Sequence, residues 1–175
     1  FRDRMERAIG GEKFVFIQAK GETEEQIYIW MPGRKVLITA DYYQGFLPNA
    51  GNGKRIQRHV EEWTEALRQM VSLKPVLLLP MHGKAIAGEV PIADALGATA
   101  DAMEHITKQV VDRLNKGERK DVILSSLDWP ERFAKSPLLT TSYVRPEDIG
   151  KMVAHRWTGW WDDIPSHYNA LNFEE

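Results

Sequence analysis

Gln26-Ile27-Tyr28-Ile29-Trp30-Met31-Pro32-Gly33-Arg34-Lys35-Val36-Leu37-Ile38-Thr39-Ala40-Asp41 is the stretch that decides how this chain folds. Two runs rich in branched and aromatic residues, which suit a pleated surface, flank a Pro-Gly pair that turns the chain back on itself. The pattern predicts an antiparallel hairpin with Asp41 at the end of its second arm. Upstream, Phe14-Val15-Phe16-Ile17 reads as a further strand. Downstream, Gly45, Pro48, Asn49, Gly51, Asn52 and Gly53 mark a loop of residues that tolerate left-handed backbone or present bare amides. From Lys54 to Leu73 the apolar positions Ile56, Val60, Trp63, Leu67, Met70 and Val71 recur at steps of three and four, predicting a helix with one buried face. Pro75-Val76-Leu77-Leu78-Leu79-Pro80 is wholly apolar and bounded by prolines, so it reads as a strand buried on both faces. That strand delivers Met81-His82-Gly83 to its C-terminal end.

Beyond Gly88 the pattern turns helical. Ile92, Leu96, Met103, Ile106, Val110 and Leu114 predict a long amphipathic helix closed by Gly117. A shorter helix is expected from Glu118 to about Ser125, stopped by Trp129-Pro130. Arg145-Pro146-Glu147-Asp148 has proline and acids in a first turn, predicting a helix that runs to about Trp161. The change of character near residues 88–91 divides a strand-rich α/β part, 1–90, from an all-helical part, 91–175. The second apolar rows of the helices, including Ile92, Met103, Val110 and Val153, exceed what so small a part would bury internally; the resemblance set out below implies that they pair two copies as an isologous homodimer.

Composition sets limits around this reading. The chain of 175 residues suits one domain, or one and a half small ones, rather than two. With 43% hydrophobic and 27% charged residues it has enough apolar material to fold. A net charge of -2 makes no field that would gather nucleic acid or anionic lipid. Without cysteine there is no thiolate zinc site and no cysteine nucleophile, so any metal must be held by His, Asp and Glu. No apolar run reaches the length of a membrane span. A soluble location, cytoplasmic or periplasmic, is expected.

Three residues that could ligate a metal end or follow the strand-rich runs: Glu22, Asp41 and His82. Residues leaving one edge of a sheet converge in space however far apart they are in sequence. Each also has a plainer reading. Glu22 belongs to the acidic loop Glu22-Thr23-Glu24-Glu25, Asp41 could cap a turn, and His82 could be a hydrogen-bonded core histidine.

The order of these residues resembles that in the alkyl sulfatases built on the metallo-β-lactamase fold. A glutamate precedes a hairpin with a proline turn, and an acid ends the second arm, here Asp41 where that family usually has glutamate. Asn49, a reworked Gly53-Lys54-Arg55, then Arg58-His59 and Trp63 follow in similar order, and Met81-His82-Gly83 matches a late histidine segment. Ala154-His155-Arg156-Trp157-Thr158-Gly159-Trp160-Trp161-Asp162-Asp163-Ile164-Pro165 is similar to the family's helix end with its glycine, two aromatics, acid and proline. Trp160 and Trp161 are expected in the core.

The resemblance implies an α/β fold class: the C-terminal half of an αββα sandwich followed by an all-helical dimerisation domain. It implies a metal-dependent hydrolase of a small-molecule ester, with a water activated between two divalent ions, zinc or alternatively manganese. Glu22, Asp41 and His82 would be ligands, and Asn49, Lys54, Arg55, Tyr143 and Arg145 would contact an anionic substrate. The family's metal string His-x-His-x-Asp-His is not found in the sequence, whose histidines are His59, His82, His105, His155 and His167. A companion polypeptide or segment carrying that half of the site is therefore expected. Where the family's long helix carries His-Asp-Gln-Thr, this chain has Thr107-Lys108-Gln109-Val110, which bears on the choice of ester. The alternative function is a non-catalytic dimerisation or interaction module with a vestigial metal edge.

Overall fold

The computed structural model describes residues 1–54 and 57–168. Six strands form one sheet in sequence order: β1 (Arg4–Ile9), β2 (Glu12–Gln18), β3 (Ile27–Met31), β4 (Val36–Ala40), β5 (Leu77–Pro80) and β6 (Ile86–Ala87). All neighbours run antiparallel except β4 and β5. The predicted hairpin is β3–β4, with Trp30 opposite Leu37. Strand β1 has no counterpart in the sequence reading. Gly10 and Gly11, at φ of 60° and 83°, form the two-residue turn with positive φ at both positions that matches strand twist and carries β1 into β2.

Side-chain alternation gives the sheet two unlike faces. Val15, Trp30, Leu37 and Leu78 face one way in register and are buried. Helix α1 (Val60–Ser72) supplies Trp63, Leu67 and Met70 to the same core, and α2 (Glu89–Leu114) supplies Ile92, Leu96 and Met103. The other face carries Phe16, Ile29, Ile38 and Leu79, aligned across the sheet and only half-buried. The expectation of a strand buried on both faces at 75–80 is thus corrected. Only Leu78 of β5 is fully buried, because the second face has no layer on it among the described residues.

The helical part continues with α3 (Lys120–Ser125), α4 (Glu131–Ala134), α5 (Pro146–Thr158) and α6 (Pro165–Tyr168). Helix α2 packs along both α1 and α5, so one apolar core passes from the sheet into the helices. Gly117 at φ 76° follows the end of α2, as predicted.

Further expectations need correction. The first helix starts at Val60 rather than Lys54, because the His59 amide is spent on the Gly21 carbonyl at 3.0 Å and the Arg58 side chain on Glu22; Ile56 lies outside the described residues. Helix α5 stops at Thr158, short of Trp161, because Gly159 turns the chain away at φ 77°. Trp160 is consequently 67% exposed, not core, and Trp161 is half-buried. The apolar row assigned to a homodimer is also used up internally, since Ile92, Met103, Val110 and Val153 are all buried within the single chain.

Candidate metal centre

The parallel pairing of β4 with β5 brings two ligand types together. Ala40 lies opposite Pro80, and the Met81 amide donates to the Ala40 carbonyl at 3.3 Å, so both chains leave the sheet at one point. Ala40 takes a positive φ of 46°, uncommon for a residue with a side chain, next to a register shift in the β4–β5 pairing, and Gly83 follows His82 at φ 84°. These turns set His82 Nε2 at 3.2 Å from Asp41 Oδ1. The approach lacks hydrogen-bond alignment, so Asp41 Oδ1 is a buried oxygen without a donor. His82 is 58% exposed at its side chain, which removes the core-histidine reading.

Glu22, Gln44, Phe46, Asn49 and Tyr143 complete a cleft of about 170 Å³ around this pair. Glu22 is held from several sides. Arg58 Nη1 lies 2.9 Å from its Oε1 and donates to its carbonyl at 2.6 Å; Asn49 Nδ2 donates to Oε1 at 3.2 Å; and Gln26 Oε1 accepts from its amide at 2.6 Å. A metal would therefore have to be met by Oε2. Gln44 Oε1 accepts from the Asn49 amide at 3.1 Å, fixing the loop that carries Asn49. Tyr143 is exposed and packs on Phe46 with ring centroids 5.3 Å apart.

Five of the residues singled out in the sequence thus share one cleft: Glu22, Asp41, Asn49, His82 and Tyr143. Lys54 and Arg145 are exposed and do not line it, and Arg55 lies outside the described residues. Gln44 and Phe46 were not foreseen, since a glutamine and a phenylalanine in a loop carry no signal of their own. Arg58 was foreseen only as part of a motif; a buried arginine reveals its partner only in three dimensions.

Over 168 residues, 94% of its length, the chain is 27% identical to the linear primary-alkylsulfatase of Pseudomonas sp. (strain ATCC 19151). The chain is homologous to a segment of an alkylsulfatase. The stereoselective inverting sec-alkylsulfatase Pisa1 from Pseudomonas sp. superposes on 98% of it with a TM-score of 0.84 at 18% identity, which shows the shared fold. A metallo-β-lactamase family protein from Thermus thermophilus matches over 89% of the chain, and 46% of its own length, with a TM-score of 0.53 at 16% identity. No family profile matches. The chain spans less than a third of the length of the alkylsulfatases it matches. The α/β fold expected from the sequence is thus that of an alkylsulfatase segment, with a structural likeness to a metallo-β-lactamase family protein.

Does this alkylsulfatase-like edge suit a metal? Two donor atoms each about 2.05 Å from one tetrahedral ion lie roughly 3.3 Å apart. The Asp41 Oδ1 to His82 Nε2 separation of 3.2 Å agrees with that, and a buried carboxylate oxygen with no donor is an atom in need of a cation. No group of three or more such side chains is close enough to hold an ion among the described residues. The donor set therefore fits part of a site.

Proposed function

We propose that this chain forms part of a metal-dependent ester hydrolase resembling the alkylsulfatases, contributing Asp41, His82 and Glu22 to a two-metal site whose remaining ligands come from a companion segment. The observation that carries the reading is the donorless Asp41 Oδ1 facing His82 Nε2 at the sheet's C-terminal edge. When bound, the two ions, zinc or manganese, lower the pKa of a water and neutralise charge on the departing oxygen. The chain's own residues orient. Arg58 and Asn49 fix the Glu22 carboxylate, and the β4–β5 pairing fixes Asp41 against His82, whose imidazole must be neutral to offer a lone pair. Asn49 and Tyr143 line the cleft where an ester oxygen would sit. Arg145, close to Tyr143 in sequence, and Lys54 and Arg55 are the cations available to an anionic group, and a sulfate ester is the substrate class to test first. A homodimer through the helical part would have to use surfaces other than the apolar row buried inside the chain.

The protein combined with its companion segment should bind zinc or manganese, and metal should raise its melting temperature. His82→Ala should abolish most of that increment while leaving the apo melting temperature within a few degrees. A variant that gains the same increment as the parent removes His82 from the site. The absence of a three-ligand cluster among the described residues favours one competing reading, an interaction module with a vestigial edge. In that case metal has no effect, and Glu22→Ala with Asp41→Ala leaves assembly and stability unchanged.

A further inference from the structure

Gln44 is 4% exposed and yet lines the cleft of the metal edge. Its Oε1 accepts from the Asn49 amide at 3.1 Å. A backbone N–H can only donate, so the atom that faces it is the carbonyl oxygen, and the other end of the side chain is the NH2 group. That end donates to nothing among the described residues, and it is not sealed off from the open space of the cleft. Nearly buried polar groups are normally bonded, so an amide with two unspent N–H bonds calls for an explanation. The loop that carries it runs beside the histidine of the site, since a Cβ on Gly83, next to His82, would lie 3.7 Å from the Gln44 carbonyl.

The surroundings narrow what this amide can meet. No Lys or Arg lines the cleft among the described residues, and the buried Arg58 guanidinium is committed to Glu22. Glu22, Asp41 and His82 offer lone pairs to a metal, and the Asn49 side-chain nitrogen donates to Glu22 at 3.2 Å. Gln44 Nε2 and the exposed Tyr143 hydroxyl are thus the donors left for a guest. The cleft, at about 170 Å³, has the bulk of about five waters at roughly 30 Å³ each, so it admits a compact head group rather than a whole chain-bearing molecule.

From this we infer that Gln44 is a specificity-determining residue of the ester site, its side-chain amide donating to a non-bridging oxygen of a sulfate ester head. The inference rests on the hydrolase reading, in which Asp41, His82 and Glu22 are spent on ions and the oxygens of R–O–SO3⁻ need donors. Such a head presents only acceptors, which is what an amide with two free N–H bonds lacks. Because the Asn49 contact already fixes the aim of the amide, the donor stands in place before the ester arrives and needs no reorganisation to meet it.

The test uses the chain assembled with its companion segment and loaded with zinc, with inorganic sulfate as the probe. Saturation with sulfate should move one Nε2 proton of Gln44 downfield in the nuclear magnetic resonance spectrum, a readout that needs no variant to fold. Gln44→Glu keeps the acceptor for the Asn49 amide and removes the donor, whereas Gln44→Met removes both without adding charge. In calorimetry both should weaken sulfate about tenfold or more, the size expected of a hydrogen bond to a charged group, with zinc uptake at the parent's stoichiometry. With decyl sulfate as substrate the same variants should raise KM more than they lower kcat. A zinc-loaded assembly that binds no sulfate, sulfate that leaves the Gln44 resonance unmoved, or parental sulfate affinity in either variant would overturn the inference and leave the metal site standing. An assembly that takes up no zinc removes the hydrolase reading and this inference with it.

Discussion

Arg58 is 3% exposed and places its guanidinium against both the backbone and the carboxylate of Glu22. Removing one member of a buried ion pair costs more than the pair itself is worth, because the other charge stays behind without its counter-charge. Glu22→Gln, which leaves the buried Arg58 guanidinium facing a neutral amide, should therefore destabilise by about 3 kcal/mol in urea titration, and Arg58→Met by less, since the Glu22 carboxylate left behind is partly solvated. A double variant as stable as the parent would show that the pair serves position rather than stability. The neighbouring His59 gives a pH signature. Burial pushes its imidazole below the ordinary value, outweighing the upward pull of Glu62 and Glu24. The unfolded chain binds that proton near pH 6.5 while the folded chain resists it, so this contribution is complete above about pH 6.5 and lost as pH falls toward the folded value. Stability should decline from pH 7 to pH 5, with a shallower slope in His59→Gln; identical slopes would exclude His59 as the cause.

At the scale of elements, the loop after β4 is clamped to the first turn of α5 through Gly51. A Cβ there would meet backbone atoms of Asp148 at 2.6 Å and of Ile149 at 2.7 Å, and neither can swing aside as a side chain would. Gly51→Ala should cost about 1–3 kcal/mol, as overpacking commonly does. Because Asn49 is two residues away, it should also loosen the Asn49–Glu22 contact, seen as weaker metal binding by the assembled protein; unchanged stability would mean that the loop is not seated on α5. Elements differ in how far the sequence reveals them. The β3–β4 hairpin was legible because its residues suit a sheet on both arms of an unmistakable turn. Strand β1 was hidden by Arg4, Glu6 and Arg7, although Gly10-Gly11 was a turn signal sufficient to find it. Trp160 was misplaced because an aromatic pair at a helix end reads as core until Gly159 is known to turn the chain outward. Glu22, Asp41 and His82 could be nominated from their residue types and order, but the 3.2 Å approach of Asp41 to His82 depends on β4 lying parallel beside β5. No local pattern encodes that pairing.

On the scale of the whole molecule, the sheet is an unequal object. One face is sealed by α1 and α2, while the row Phe16, Ile29, Ile38 and Leu79 joins no core among the described residues. Contiguous apolar surface of this kind marks a contact site. The companion segment proposed to carry the remaining metal ligands would cover it as the second layer of a sandwich, sheets stacking about 10 Å apart. Paired substitutions separate the two faces. Leu37→Ala should destabilise the chain alone by about 2–5 kcal/mol, because it empties a sealed core. Ile38→Ala, one residue on and pointing the other way, should cost the isolated chain well under half as much. In the presence of the companion segment the order of consequences should reverse for association, with Ile38→Ala weakening capture of the segment about tenfold or more. The isolated chain should also bind an environment-sensitive apolar dye, and saturation with the segment should abolish that signal. Equal costs for the two substitutions in the isolated chain, or a dye signal that persists in the complex, would mean that the half-buried row is ordinary surface and that the second layer lies elsewhere.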